Sequence, residues 1–147
     1  MQVHIEVPIG ELADRISILQ IKMEKIHQEE KLKHVSLDLS QLLGVLYNLR
    51  VAKFCSRCNK IQSGAWDQLT QLAGELRSLN LKIWDIEDKI RSLEKSQDFG
   101  PEFIATARAV YFTNDERAAV KKKINDLFGS DISEEKSYTN YAPSTNS

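Results

Sequence analysis

Apolar residues fall alternately three and four positions apart along three long stretches of this chain, a spacing that commits them to helices packed along a seam. The first run is Ile9, Leu12, Ile16, Leu19, Met23 and Ile26, and the second is Leu32, Val35, Leu39, Leu42, Leu46 and Leu49. The third, Leu69, Leu72, Leu76, Leu79, Ile83, Ile86, Ile90 and Leu93, holds the pattern over more than three heptads, which is coiled-coil periodicity. The spacing predicts helices over 9–27, 31–52 and 66–96. The stop Asp98-Phe99-Gly100-Pro101 then opens a fourth over 101–128, carried by Phe103, Ala107, Val110, Ala118, Ile124 and Leu127 and ended by Gly129. Thr113 and Asn114 are N-cap residue types, so this fourth helix either runs through or restarts there.

The predicted fold is all-α: an antiparallel helical hairpin bundle in one domain, residues 1–141, with 142–147 as a disordered tail. Val3, Ile5 and Val7 alternate with polar neighbours and suggest a short N-terminal strand before Pro8. Its partner would be the segment from Asp131 to Tyr141 or the same strand of a second subunit. Ile18 and Ile21 stand off the main stripe of the first helix. Either that helix is central in the bundle, or its second face meets another subunit.

With 147 residues and 41% hydrophobic content the chain has enough apolar mass for a core without staples. Its net charge of -1 gives no field to attract nucleic acid. No apolar stretch approaches the roughly 20 residues of a membrane span, and MQVHIEVP lacks the basic start and apolar core of a signal peptide, so the expected location is the cytoplasm without membrane insertion. Cys55 and Cys58 have the spacing of half a zinc site, but no second pair follows, and reduced thiols with no metal are expected. No cofactor is implied: there is no glycine-rich phosphate loop, G-x-S-x-G or H-E-x-x-H element.

On the third helix Asn80, Trp84, Glu87 and Arg91 form a polar row beside the leucine seam. If the fourth helix folds back across Gly100, positions whose numbers sum to about 199 lie level, because both helices rise about 1.5 Å per residue. Trp84, Glu87, Asp88, Arg91, Arg108, Tyr111, Asn114, Asp115, Arg117 and Lys121 then gather as a candidate ligand-binding cluster, with cationic donors, a carboxylate base and aromatic surface. The same residues also suit a salt-bridge and hydrogen-bond network that fixes helix register, and this is the preferred reading. Glu11 and Asp14 make an E-x-x-D pair used by some magnesium-dependent helical enzymes. No second acidic pair lies upstream, so the pair is read as acidic stabilisation of a helix N-terminus.

The segments PIGELADRISILQIK, WDIEDKIR, DFGPEFI, ARAVYFTNDERAAVKKKIN and GSDISEEKSY, in this order, resemble a family of bacterial proteins known only as a domain of unknown function. The resemblance runs from Val7 to about Tyr141. It implies an uncharacterised bacterial protein and no reaction, and its pattern includes Gly10, Glu11, Trp84, Glu87, Asp88, Arg91, Gly100, Arg108, Tyr111, Asn114, Asp115, Arg117, Lys121, Asn125 and the EEKSY segment. The chain departs from it at Cys55 and Cys58, which members typically lack, and at Pro8, where they tend to carry a capping serine. The functional expectation is a non-catalytic interaction or accessory module, homodimeric or bound to an unknown protein partner. The alternative is a small helical enzyme or anion binder using Arg91, Arg108, Arg117 and Lys121, with Glu87 or Asp115 as base. The alternative needs basic groups converging in a pocket without carboxylate partners; the preferred reading needs them paired.

Overall fold

The computed structural model describes residues 4–51, 64–132 and 137. Four helices account for most of them: α1 (Ile9–Lys25), α2 (Glu29–Val51), α3 (Ala65–Lys95) and α4 (Pro101–Leu127). The helical bundle is therefore present, and α4 runs unbroken through Thr113 and Asn114. No strand forms among the described residues. Ile5 and Val7 are exposed in irregular chain leading to Pro8, with no ladder to take up their backbone groups, while Val3 lies outside the described residues. Cys55, Cys58, most of the EEKSY segment and the 142–147 tail also lie outside them.

The long helices are set antiparallel by a tight hairpin. Gln97 ends α3 in the left-handed region (φ 56°), and Asp98 N–H donates back to the Leu93 carbonyl at 3.0 Å, a Schellman closure. Asp98 Oδ1 accepts from Gly100 N–H at 3.0 Å, and Pro101 opens α4, where no amide hydrogen is needed. Pairs along the two helices have similar number sums: Lys89 with Glu102, Lys82 with Glu116, and Asn80 with Arg117. At the far end Trp66 meets Phe128 edge to face at 4.9 Å.

α1 lies in the groove between these two helices. It packs across α3, with Ser17 at Asn80, Glu24 at Arg77 and Lys25 at Asp85, and runs opposite to α4, with Gly10 at Asn125 and Glu11 at Lys121. The core forms where the three meet: Ala13 of α1, Leu69 and Leu76 of α3, and Val120 and Ile124 of α4. Leu12, Ile16 and Leu19 are buried on the main stripe of α1, and Gly10, Asp14, Ser17 and Ile21 are buried on a second one. Ile21 is thus enclosed by the bundle itself, because α1 packs against all three other helices. α2 lies against α1 and buries only Val35 fully.

Gln97 carries a side chain where the backbone conformation favours glycine, at a cost of about 1–2 kcal/mol. Gln97→Gly should raise unfolding stability by about 0.5–1 kcal/mol, after allowance for the greater freedom glycine has when unfolded. Urea denaturation followed by circular dichroism measures it; an unchanged or lower midpoint contradicts this account of the hairpin.

Candidate functional site

The spacing of α1 places Gly10, Asp14 and Ser17 on one stripe facing α3 and α4, and their polar groups meet a matched set there. Asn80 of α3 is the hub. Its side-chain amide donates to Asp14 Oδ1 and to Ser17 Oγ, both at 2.7 Å, and its carbonyl oxygen accepts from Arg117 Nη1 of α4 at 3.2 Å. Lys121, one turn further along α4, donates to Glu11 Oε2 at 2.7 Å, and its ammonium lies 4.0 Å from Asp14 Oδ2. One turn on again, Asn125 Oδ1 accepts from the Gly10 backbone N–H at 2.8 Å. Asp14 is only 4% exposed and Asn80 5%, so these bonds compensate a carboxylate that has been taken out of water.

Gly10 belongs to the same arrangement for a steric reason. A Cβ built there would stand 2.6 Å from the Lys121 carbonyl oxygen and 2.6 Å from Asn125 Oδ1, so only glycine lets α1 approach α4 this closely. Thr113, 1% exposed on α4, has the only buried side-chain oxygen among the described residues without a hydrogen-bond partner. Its hydroxyl is a local cost that the fold carries.

The ten residues gathered by the sequence reasoning do not form one cluster. Arg117 and Lys121 join the buried node with Asn80. Glu87 and Arg91 pair with each other one turn apart on α3, at 2.8 Å, with the Arg91 side chain largely in water. Arg108, Tyr111 and Phe112 lie on the outer side of α4, Arg108 over the Phe112 ring at 5.9 Å and Tyr111 against it at 4.6 Å. Asn114 donates to the carbonyl of Val110 in its own helix. Trp84 and Asp115 are half-buried, and Asp88 is exposed.

The sequence reasoning missed the α1 side of the node. Spacing alone assigns Glu11 and Asp14 to the helix N-terminus, whereas Glu11 pairs with Lys121 and Asp14 with Asn80. The readable signal was the stripe Gly10, Asp14, Ser17, Ile21, since a small, an acidic and a hydroxyl residue in line with an enclosed isoleucine mark a polar buried face.

Chemically, the node holds two carboxylates against two cations, with amides and a hydroxyl between them, so its charges balance internally. Its basic groups are engaged: Lys121 by Glu11, Arg117 by the Asn80 carbonyl. Open grooves lie away from it, one of about 550 Å³ along Met23, Leu32, Ser36 and Ser40, another of about 640 Å³ by Gly74, Leu79, Ala119 and Lys123. No group of three or more metal-ligating side chains, and no helix long and apolar enough to cross a membrane, occurs among the described residues. No family model, curated protein or solved structure matches the chain.

Removing the hub strands several buried groups at once. Asn80→Leu should lower unfolding stability by about 3 kcal/mol, the scale for a buried carboxylate that loses its donor, whereas Thr113→Val should leave it unchanged or raise it by up to about 1 kcal/mol. Thermal and urea unfolding of the two variants checks both; equal losses would mean that the node carries no special share of the stability.

Proposed function

We propose that the chain is a non-catalytic helical interaction module that self-associates, with the Asn80 node as scaffold and the outward side of α2 as the contacting surface. The observation that carries this reading is the exposure of apolar residues on α2. Tyr47 is 66% exposed, Leu37 57% and Val51 56%, and Leu43, Val45 and Leu49 are also exposed, so the second half of the helix carries apolar side chains well beyond the side that meets α1. Exposed apolar side chains in that number on one helix are what an interaction surface presents. The pairing of the basic groups adds support: Arg91 is taken by Glu87 and Lys121 by Glu11, as a scaffold requires.

The reading extends to a cytoplasmic, bacterial setting and to membership of the uncharacterised family that the PIGEL, WDIEDKIR and VYFTNDERAAV segments resemble. The second reading, a small-anion site, rests on Arg108 and Arg117, neither of which has a carboxylate partner among the described residues. A thermal-shift screen against phosphates and carboxylates separates the two, because only a ligand of the native state raises the melting temperature in a saturable way. Saturable stabilisation abolished by Arg108→Ala establishes the second reading.

The exposed stretch of α2 from Leu37 to Val51 is about 21 Å long, which suits an interface at the small end of the usual range. Light scattering on purified protein should therefore show a concentration-dependent dimer in the micromolar range. Tyr47→Glu with Val51→Glu should leave a monomer whose unfolding stability at low concentration is within about 0.5 kcal/mol of the parent, as for exposed sites. A parent monomeric at every concentration, or a dimer that the double variant leaves intact, contradicts the reading.

A further inference from the structure

The outward side of α4 carries charges and aromatic rings in an order that the chain repeats, with opposite signs, in its own C-terminal segment. We infer that residues 133–141 run back in extended form along this side of α4, with Glu134 at Lys122, Lys136 at Asp115, and Tyr138 on Tyr111 and Phe112. The inference rests neither on α2 nor on the self-association proposed above.

The helix supplies one half of the match. Arg108, Asp115 and Lys122 are seven positions apart, and so are Thr106, Thr113 and Val120, which are buried. At about 100° per residue the two lines stand about 160° apart, so the charged line faces away from the core that Val120 joins. Tyr111 and Phe112 flank it between Arg108 and Asp115, at 39% and 36% exposure, with their rings 4.6 Å apart. Traced back from the C-terminal end of α4, this face presents a cation, then a carboxylate, then an aromatic pair.

The chain beyond α4 supplies the other half. Glu134, Lys136 and Tyr138 are a carboxylate, a cation and an aromatic, in the order in which the chain leaves the helix. Successive side chains of an extended segment alternate between its two sides, so these three share one side and Ser137 lies on the other. Ser137 is exposed, as that placement needs.

The distances agree as well. Gly129 lies in the left-handed region (φ 59°), and Ser130 N–H donates back to the Asn125 carbonyl at 3.1 Å, a turn that takes the chain off the helix axis. Ser130 Oγ then accepts from Ile132 N–H at 3.2 Å and closes a second turn. From Ile132 to Glu134 an extended chain covers about 7 Å, and the helix covers nearly the same length from Leu127 back to Lys122. From Glu134 to Tyr138 it covers about 13 Å, against about 16 Å from Lys122 to Tyr111, a difference within the reach of a lysine side chain. A segment running the other way, off the end of the helix, would meet none of these partners, so opposite charges in matching order select the return along α4.

The test is cleavage of the full chain by chymotrypsin after Tyr138, which requires the segment to leave the helix and so reports the released fraction. Cleavage should be about tenfold slower than in a free peptide of residues 130–147, and equally slow at the lowest protein concentration. Lys136→Glu should speed it about fivefold, since one exposed attraction becomes a repulsion, and adding Asp115→Lys should return it to the parent rate. Circular dichroism verifies that both variants keep the helices. Cleavage as fast as in the peptide, or a charge swap that restores nothing, overturns the inference. Protection that disappears on dilution puts the segment on a second copy and overturns it too. Protection retained by a protein that light scattering shows to be monomeric upholds the inference and removes only self-association.

Discussion

A carboxylate withdrawn from water is the constraint on which the rest of this structure depends. Asp14 is buried at the meeting point of three helices, and an uncompensated charge there would cost several kcal/mol. Its compensation comes from two different helices, the Asn80 amide at 2.7 Å from α3 and the Lys121 ammonium at 4.0 Å from α4. α1 therefore has one position along each neighbour at which the polar groups match. Leucine and isoleucine seams tolerate sliding by a turn, since one apolar contact replaces another, but a slip here strands Asp14, Ser17 and Arg117 together. Gly10 tightens the same constraint sterically by letting α1 reach the Lys121 carbonyl. The hydrophobic seams supply most of the driving force, and the node selects the register.

Much of this order is legible in the sequence, and the limits of legibility have physical causes. Three-and-four spacing locates a helix because burial of one face is a property of the helix itself. The level-pair rule for α3 and α4 works because a tight hairpin fixes where the two helices start, and Asn80 duly meets Arg117. The rule has no such anchor for α1, which reaches α3 only after α2 and a long connection, so its approach could not be counted out along the chain. Glu11 and Asp14 were visible as an acidic pair, yet nothing in the spacing linked them to residues so distant in the chain as Asn80 and Lys121. The isolated row Glu87 and Arg91 shows the opposite limit. Periodicity places these residues beside a seam, but which side chains of the neighbouring helix turn toward them is a tertiary fact, and here they pair with each other.

Two halves of different character follow. α1, α3 and α4 form a unit with buried polar bonds and a shared core, whereas α2 is attached along one side only and keeps apolar residues on the other. The first half is tied together at the Asn80 node, and the second leaves apolar side chains exposed. The enclosure of Ile21 is informative on this point. It shows that Ile21 is satisfied inside the chain, whereas Leu37, Val45, Tyr47, Leu49 and Val51 of α2 stay exposed.

Hydrogen exchange of the backbone amides, followed at low and at high protein concentration, tests this division most directly, because protection reports local opening element by element. The account predicts strong, concentration-independent protection for the facing parts of α1, α3 and α4 around Asp14, Asn80 and Lys121, and protection of α2 from Leu39 to Leu49 that is weak when dilute and rises with concentration. Protection of α2 equal to that of the other helices at every concentration would contradict it.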